Sequence, residues 1–115
     1  MTLLQAQQQF AIDLARLILW CEGRPYAVTF GEAYRTPEQA ALYAKQGKGI
    51  INSNHTRRLA VDLNLFVNGV YATDSDAYAE LGEFWESMNV ANVWGGNFKR
   101  RDGNHFSRRY GGYPV

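Results

Sequence analysis

"LAVDLNLFVNGVY" (59–71) is the stretch on which the fold turns. Residues 59–66 alternate cleanly, with Val61, Leu63 and Leu65 on one side and Ala60, Asp62 and Asn64 on the other. A period of two marks a strand with one buried face. Asn68-Gly69 then supplies the two-residue turn that folds a strand into a hairpin. One position strains this reading. Asp62 puts a carboxylate in the middle of an apolar strand, which is costly unless the acid is paired or bound to a metal. Ala60, on the same face, is small and leaves room beside it.

On the N-terminal side, residues 3–22 read as an amphipathic helix, with Phe10, Leu14, Leu17, Ile18 and Cys21 at helical spacing. Gly23 and Pro25 stop it. "YAVTFGEAY" (26–34) is rich in β-branched and aromatic residues and predicts a strand or extended segment. Thr36-Pro37 opens a second helix, in which Gln39 is placed to close a capping box and Gly47 to end the run. Residues 47–55 read as an ordered loop. On the C-terminal side, Asp74 or Ser75 caps a third helix whose stripe is Tyr78, Leu81, Trp85 and Met88. "NVWGGNF" (92–98) predicts a strand with a glycine bend, "RDGN" (101–104) a turn, and "HFSRRY" (105–110) a last strand. Helices and hairpins that do not alternate as βαβ predict an α+β fold, three helices packed on a small antiparallel sheet.

The 115 residues are 46% hydrophobic and 20% charged, which suits one domain, 1–115, and argues against disorder. A net charge of +1 gives no global pull toward nucleic acid or membrane. A single cysteine excludes an internal disulfide and a Cys-based zinc site. The apolar pattern at the N-terminus is broken by Asp13 and Arg16, unlike a signal peptide or membrane span. The expectation is a soluble chain made in the cytoplasm without a leader.

The chain has two histidines, His55 and His105. A catalytic zinc site takes three protein ligands and leaves a fourth position open. Here that set can only be His55, His105 and a carboxylate, and Asp62 is the best third ligand. Asp102, on the turn just before His105, is where a general base for an activated water belongs. The alternatives are ordinary ones. Either histidine can be a surface or core residue, and Asp62 can pair with Arg57 or Arg58.

"SNHTRRLAVD" (53–62) resembles the Ser-x-His-(six residues)-Asp motif of the zinc D-Ala-D-Ala carboxypeptidases and L-alanyl-D-glutamate endopeptidases, which cut the peptides of peptidoglycan. "WGGNFKRRDGNHF" (94–106) resembles the second motif of that family, a Gly-Gly bend followed by acid-x-x-His. "FGEAYRTPEQ" (30–39) resembles the upstream segment, where an Arg-Thr/Ser pair opens a helix. The resemblance runs over roughly residues 28–107, with the motifs in order, and is closest to the small phage endolysins. It implies a hedgehog/DD-peptidase-like fold with Zn2+ on His55, Asp62 and His105 and Asp102 as catalytic acid/base. It further implies that Ser53 orients a ligand and that Arg35 points its guanidinium at a substrate carboxylate or a developing oxyanion. The alternative for Arg35 is a surface ion pair with Glu32 or Glu38. One position departs from the pattern: Arg58 stands where many members have glycine.

The function so implied is a metallopeptidase of peptidoglycan stem peptides, with L-Ala-D-Glu endopeptidase favoured over D-Ala-D-Ala carboxypeptidase on the analogy with lysins. The enzyme is expected to be a monomer, released to act on the cell wall of a phage host, without stable membrane insertion or a nucleic-acid partner. Lys99, Arg100, Arg101, Arg108 and Arg109, interleaved with Phe98, Phe106 and Tyr110, form either a basic rim that draws in anionic substrate or a solvated face. The same ingredients would serve a metal-dependent nuclease, which is the competing class. Trp94 can line a cleft or sit in the core; Trp20, Trp85 and Cys21 belong to packing.

Overall fold

The computed structural model describes all 115 residues. Helix α1 (Leu3–Cys21) is followed by strand β1 (Tyr26–Phe30) and helix α2 (Pro37–Lys45). The central hairpin is β2 (Ala60–Val67) and β3 (Val70–Tyr71). Helix α3 (Ala79–Met88), strand β4 (Asn92–Trp94) and strand β5 (His105–Arg108) complete the chain. The sheet order is β1-β2-β5-β4, all antiparallel, with β3 paired to the end of β2. This is the expected α+β architecture.

Local signals account for most element boundaries. Thr2 and Gln5 close a reciprocal capping box at the start of α1. At α2, Thr36 Oγ1 accepts from the Gln39 amide at 3.1 Å, so the cap forms through the threonine side of the expected box. Asp74 is the cap after the hairpin, accepting from the Ala77 amide at 3.0 Å, and a 3-10 turn (Ser75–Tyr78) leads into α3. Asn68 and Gly69 both take positive φ, as a type I′-like reversal requires.

Alternation along β2 holds. Val61, Leu63 and Leu65 are buried against α1 and α3, together with Leu17, Leu81, Trp85 and Phe106. Burying each such side chain contributes about 1.5–3 kcal/mol. Trp85 is the hub. Its ring meets Phe10 and Phe106 edge-on at 5.5 and 6.0 Å, and its indole N–H donates to Val93 O and Ser107 O. Helix α2 buries only Ala40 and lies at the margin. No helix is long and apolar enough to cross a membrane.

Three expected strands are shorter than the sequence suggests. β1 stops at Phe30 because Gly31–Arg35 turns its polar groups to other partners. The Gly95–Asn97 bend is a 3-10 turn, and β5 ends at Arg108. The loop before β2 also contains a 3-10 turn, Asn54–Arg57.

A polar cluster interrupts the core. Asp13, 1% exposed, accepts from Asn92 Nδ2 at 3.2 Å and from Gln9 Nε2 at 3.0 Å, and faces buried Arg108 Nη1 at 3.8 Å. Helix α1 is thereby tied to β4 and β5 by charge as well as by apolar contact. Removing one member leaves the other charge buried and unpaired, which typically costs about 3 kcal/mol or more. Asp13→Ala is therefore expected to lower unfolding free energy by about 3 kcal/mol, read from the urea midpoint, and Asp13→Asn by less.

Candidate active site

The site begins with strand register. β2 and β5 pair so that Asp62 lies opposite His105, with Val61 opposite Phe106 beside it. Opposed residues of an antiparallel pair share a face. Neither main-chain amide of the Asp62–His105 pair is used across it: Asp62 N donates to Glu32 O at 2.8 Å and His105 N to Asp102 O at 3.1 Å. Such non-hydrogen-bonded pairs bring side chains closest together. His105 Nδ1 stands 3.5 Å from Asp62 Oδ1.

His55 reaches the same carboxylate from the 3-10 turn ahead of β2. Ser53 caps that turn, its Oγ accepting from the His55 amide at 3.2 Å. Arg58 closes it with φ +57°, a left-handed conformation that glycine adopts most cheaply. This explains why glycine suits the position. Here the Arg58 guanidinium lies 4.1 Å over the Tyr34 ring, a cation–π contact that offsets part of the backbone cost. His55 Nδ1 is 3.0 Å from the Ala33 carbonyl, which leaves Nε2 aimed at Asp62 Oδ1, 3.4 Å away. A hydrogen bond at one ring nitrogen is how proteins orient the other toward a metal.

Asp62 Oδ1 is buried and has no hydrogen-bond partner, and the same is true of His105 Nε2. The ligand atoms of His55, Asp62 and His105 all lie within 4.8 Å of one another. A buried acceptor left open between two imidazoles is the donor set of a divalent metal with nitrogen and oxygen ligands, and the trio fits zinc. The charges agree. Burial alone would raise the Asp62 carboxyl, but the two facing imidazoles hold it down at about 2. Burial pushes the His55 imidazole down, yet Asp62, the Ala33 carbonyl and Glu32 outweigh this, and its pKa is raised.

Asp102 is exposed on the turn that leads into β5. Its amide donates to Gly95 O at 2.9 Å, locking the turn to the glycine bend. A Cβ at Gly95 would come within 2.2 Å of Asp102 O and 2.9 Å of His105 Cβ, so this position must be bare. Behind the bend, buried Trp94 donates its indole N–H to Gly103 O at 2.7 Å. Trp94 is thus core, a wedge that fixes the turn ahead of His105 rather than a cleft wall. Partial desolvation raises the Asp102 carboxyl above its ordinary value, against the lowering pull of His105.

Arg35, Ser53, His55, Asp62, Asp102 and His105 line one cleft of about 210 Å³. The structure therefore brings together the six residues that the sequence reading assigned to the site. Arg35 also pairs with Glu32: its Nε lies 3.1 Å from both carboxylate oxygens and its Nη2 contacts Oε1. Its Nη1 is 3.4 Å from Ser53 Oγ. The basic cluster does not act as one patch. Arg108 is buried beside Asp13, Arg101 is bound to Asp76 and to Gly96 O, and Arg109 lines a different groove.

What the sequence did not reveal is the set of main-chain contacts made by the strap 31–35. Gly31 N donates to Asp62 O, Asp62 N to Glu32 O, and Arg35 N to His55 O. These are main-chain contacts, which leave no side-chain signature. Glu32, three residues ahead of Arg35 in an extended segment, was the only available clue.

Residues 46–108 match the family model described as D-alanyl-D-alanine carboxypeptidase. No curated protein sequence matches the chain. Among solved structures, the Serratia marcescens L-Ala D-Glu endopeptidase ChiX is similar at TM-score 0.66 and 25% identity, covering 85% of this chain and 77% of its own. The vancomycin-resistance D,D-pentapeptidase VanY from a VanB-type cassette, solved in complex with Zn(II), shares the fold at TM-score 0.57 and 18% identity, covering 87% and 70%. With the family match spanning more than half of the sequence and the donor set in place, the chain belongs to the D-alanyl-D-alanine carboxypeptidase family of M15 peptidases and is a peptidoglycan-acting zinc metallopeptidase.

Proposed function

We propose that the chain hydrolyses the L-Ala-D-Glu amide of peptidoglycan stem peptides, with His55, Asp62 and His105 as zinc ligands and Asp102 as general acid/base. The observation that carries this reading is the buried, unpartnered Asp62 oxygen held between two imidazoles, in a cleft that Asp102 also lines. Zinc, when bound, polarises a scissile carbonyl and brings the pKa of water down to about 7. Asp102 takes the proton from the attacking water and returns it to the leaving amine. A carboxyl with a raised pKa is suited to both halves of that exchange. Ser53 holds the main chain of His55 and steadies Arg35. Arg35 has its fork engaged by Glu32 and serves the cleft through Nη1 alone.

The choice of bond is supported by the likeness to the Serratia endopeptidase over most of both chains. A second reading, D-Ala-D-Ala carboxypeptidase, is supported by the family description. The motif resemblance to small phage endolysins supports a lytic role in which residues 1–115 act as one monomeric catalytic domain on the host wall.

Two substitutions separate the roles. His105→Ala is expected to lose zinc, measured by metal analysis of purified protein. Asp102→Asn is expected to keep stoichiometric zinc while turnover falls by about 100- to 10,000-fold; full lytic activity in this variant would remove Asp102 from the mechanism. Mass spectrometry of fragments released from purified wall should show new N-terminal D-Glu, whereas release of free D-Ala would select the carboxypeptidase reading.

A further inference from the structure

We propose that Lys48 and Arg100 form a second anion-recognition subsite that reads a carboxylate on the leaving portion of the substrate peptide. The inference rests on the peptide-hydrolase reading above and adds its charge specificity. It starts from Arg35, the expected carboxylate binder. Glu32 takes both the Nε and Nη2 sides of that guanidinium, and the Arg35 side chain is only 13% exposed. Its charge is compensated and its fork is occupied. A second substrate carboxylate must find a partner elsewhere.

Of the other cations around the cleft, most are committed. Arg101 is bound to Asp76 and Gly96 O, and Arg108 is buried. Lys48 and Arg100 are exposed and neither forms an ion pair with a protein carboxylate. Lys48 lines the metal cleft and also the adjoining groove of about 500 Å³, whose walls include Phe98, Arg100, Arg101 and Asp102. The sole acid on that groove is Asp102. Asp102 stands where the two spaces meet, so a leaving amine that receives its proton departs beside this groove. Phe98 forms an apolar wall, its ring 5.5 Å from that of His105. A backbone segment can therefore lie against Phe98 while Lys48 and Arg100 donate charge-assisted hydrogen bonds to a carboxylate.

The proposed substrate has such a group. Glutamate has two carboxyls, and onward chain growth uses one, so the D-Glu side of an L-Ala-D-Glu amide keeps a free carboxylate. Replacing that carboxylate with a carboxamide removes the charge and leaves the scissile bond intact.

The test compares wild type with the zinc-loaded double variant Lys48→Gln/Arg100→Gln. The substrates are wall-derived stem peptides with carboxylates free or capped as carboxamides. Wild type is expected to prefer the free carboxylate by about fivefold in kcat/KM at low salt, through KM, as befits exposed ion pairs. The double variant should lose that preference while zinc content, kcat and activity on the carboxamide stay unchanged. An equal preference in both proteins, or none in wild type, overturns the inference. So does loss of plasmid-DNA binding in the double variant with the peptide preference intact, which would assign these cations to nucleic acid. Product masses report the bond separately: cleavage at another bond sinks the L-Ala-D-Glu assignment but not the charge preference, and no cleavage of either substrate sinks both.

Discussion

The site depends on the register between β2 and β5. Asp62 faces His105 because Val61 faces Phe106, and both of those are buried in the core. A slip of one residue would bring fully buried Phe106 to the place of His105 and turn the imidazole into the apolar layer. Core packing and site geometry are thus a single constraint: the burial energy of Val61, Leu63, Leu65 and Phe106 is also what holds the Asp62 and His105 side chains at 3.5 Å. Helices α1 and α3 contribute to chemistry only through this sheet.

Periodicity made that sheet legible. Alternation along 59–66 and the Asn-Gly pair located β2 and its hairpin, and the misfit of Asp62 within the pattern pointed at the site. His105 at the start of the last strand and Asp102 on the preceding turn could be read because strands and turns have short, local signals. Long-range main-chain contacts have none. Nothing in "GEAYR" says that its carbonyls and amides will seize both Asp62 and His55. The same limit hid the burial of Arg108, which reads as one more member of a basic run but lies against Asp13, far away in sequence.

Two of the places where local rules are broken lie at the cleft or beside it. Arg58 adopts a left-handed backbone conformation, and Asp62 leaves a buried oxygen unbonded. Conformational strain of this kind costs on the order of 1–2 kcal/mol. It persists where surrounding structure over-determines the geometry. Here the surroundings are the Ser53 cap, the Tyr34 ring and the ladder on either side of Asp62.

The acceptor that orients His55 is the carbonyl of Ala33, whose own side chain is exposed. Every amino acid offers the same carbonyl. Substitutions at residue 33 should therefore be nearly silent, while inserting or deleting a single residue between Gly31 and Arg35 would displace the carbonyl and be lethal to the enzyme. Evolution can rewrite residue 33 freely but cannot change the length of the segment that carries it.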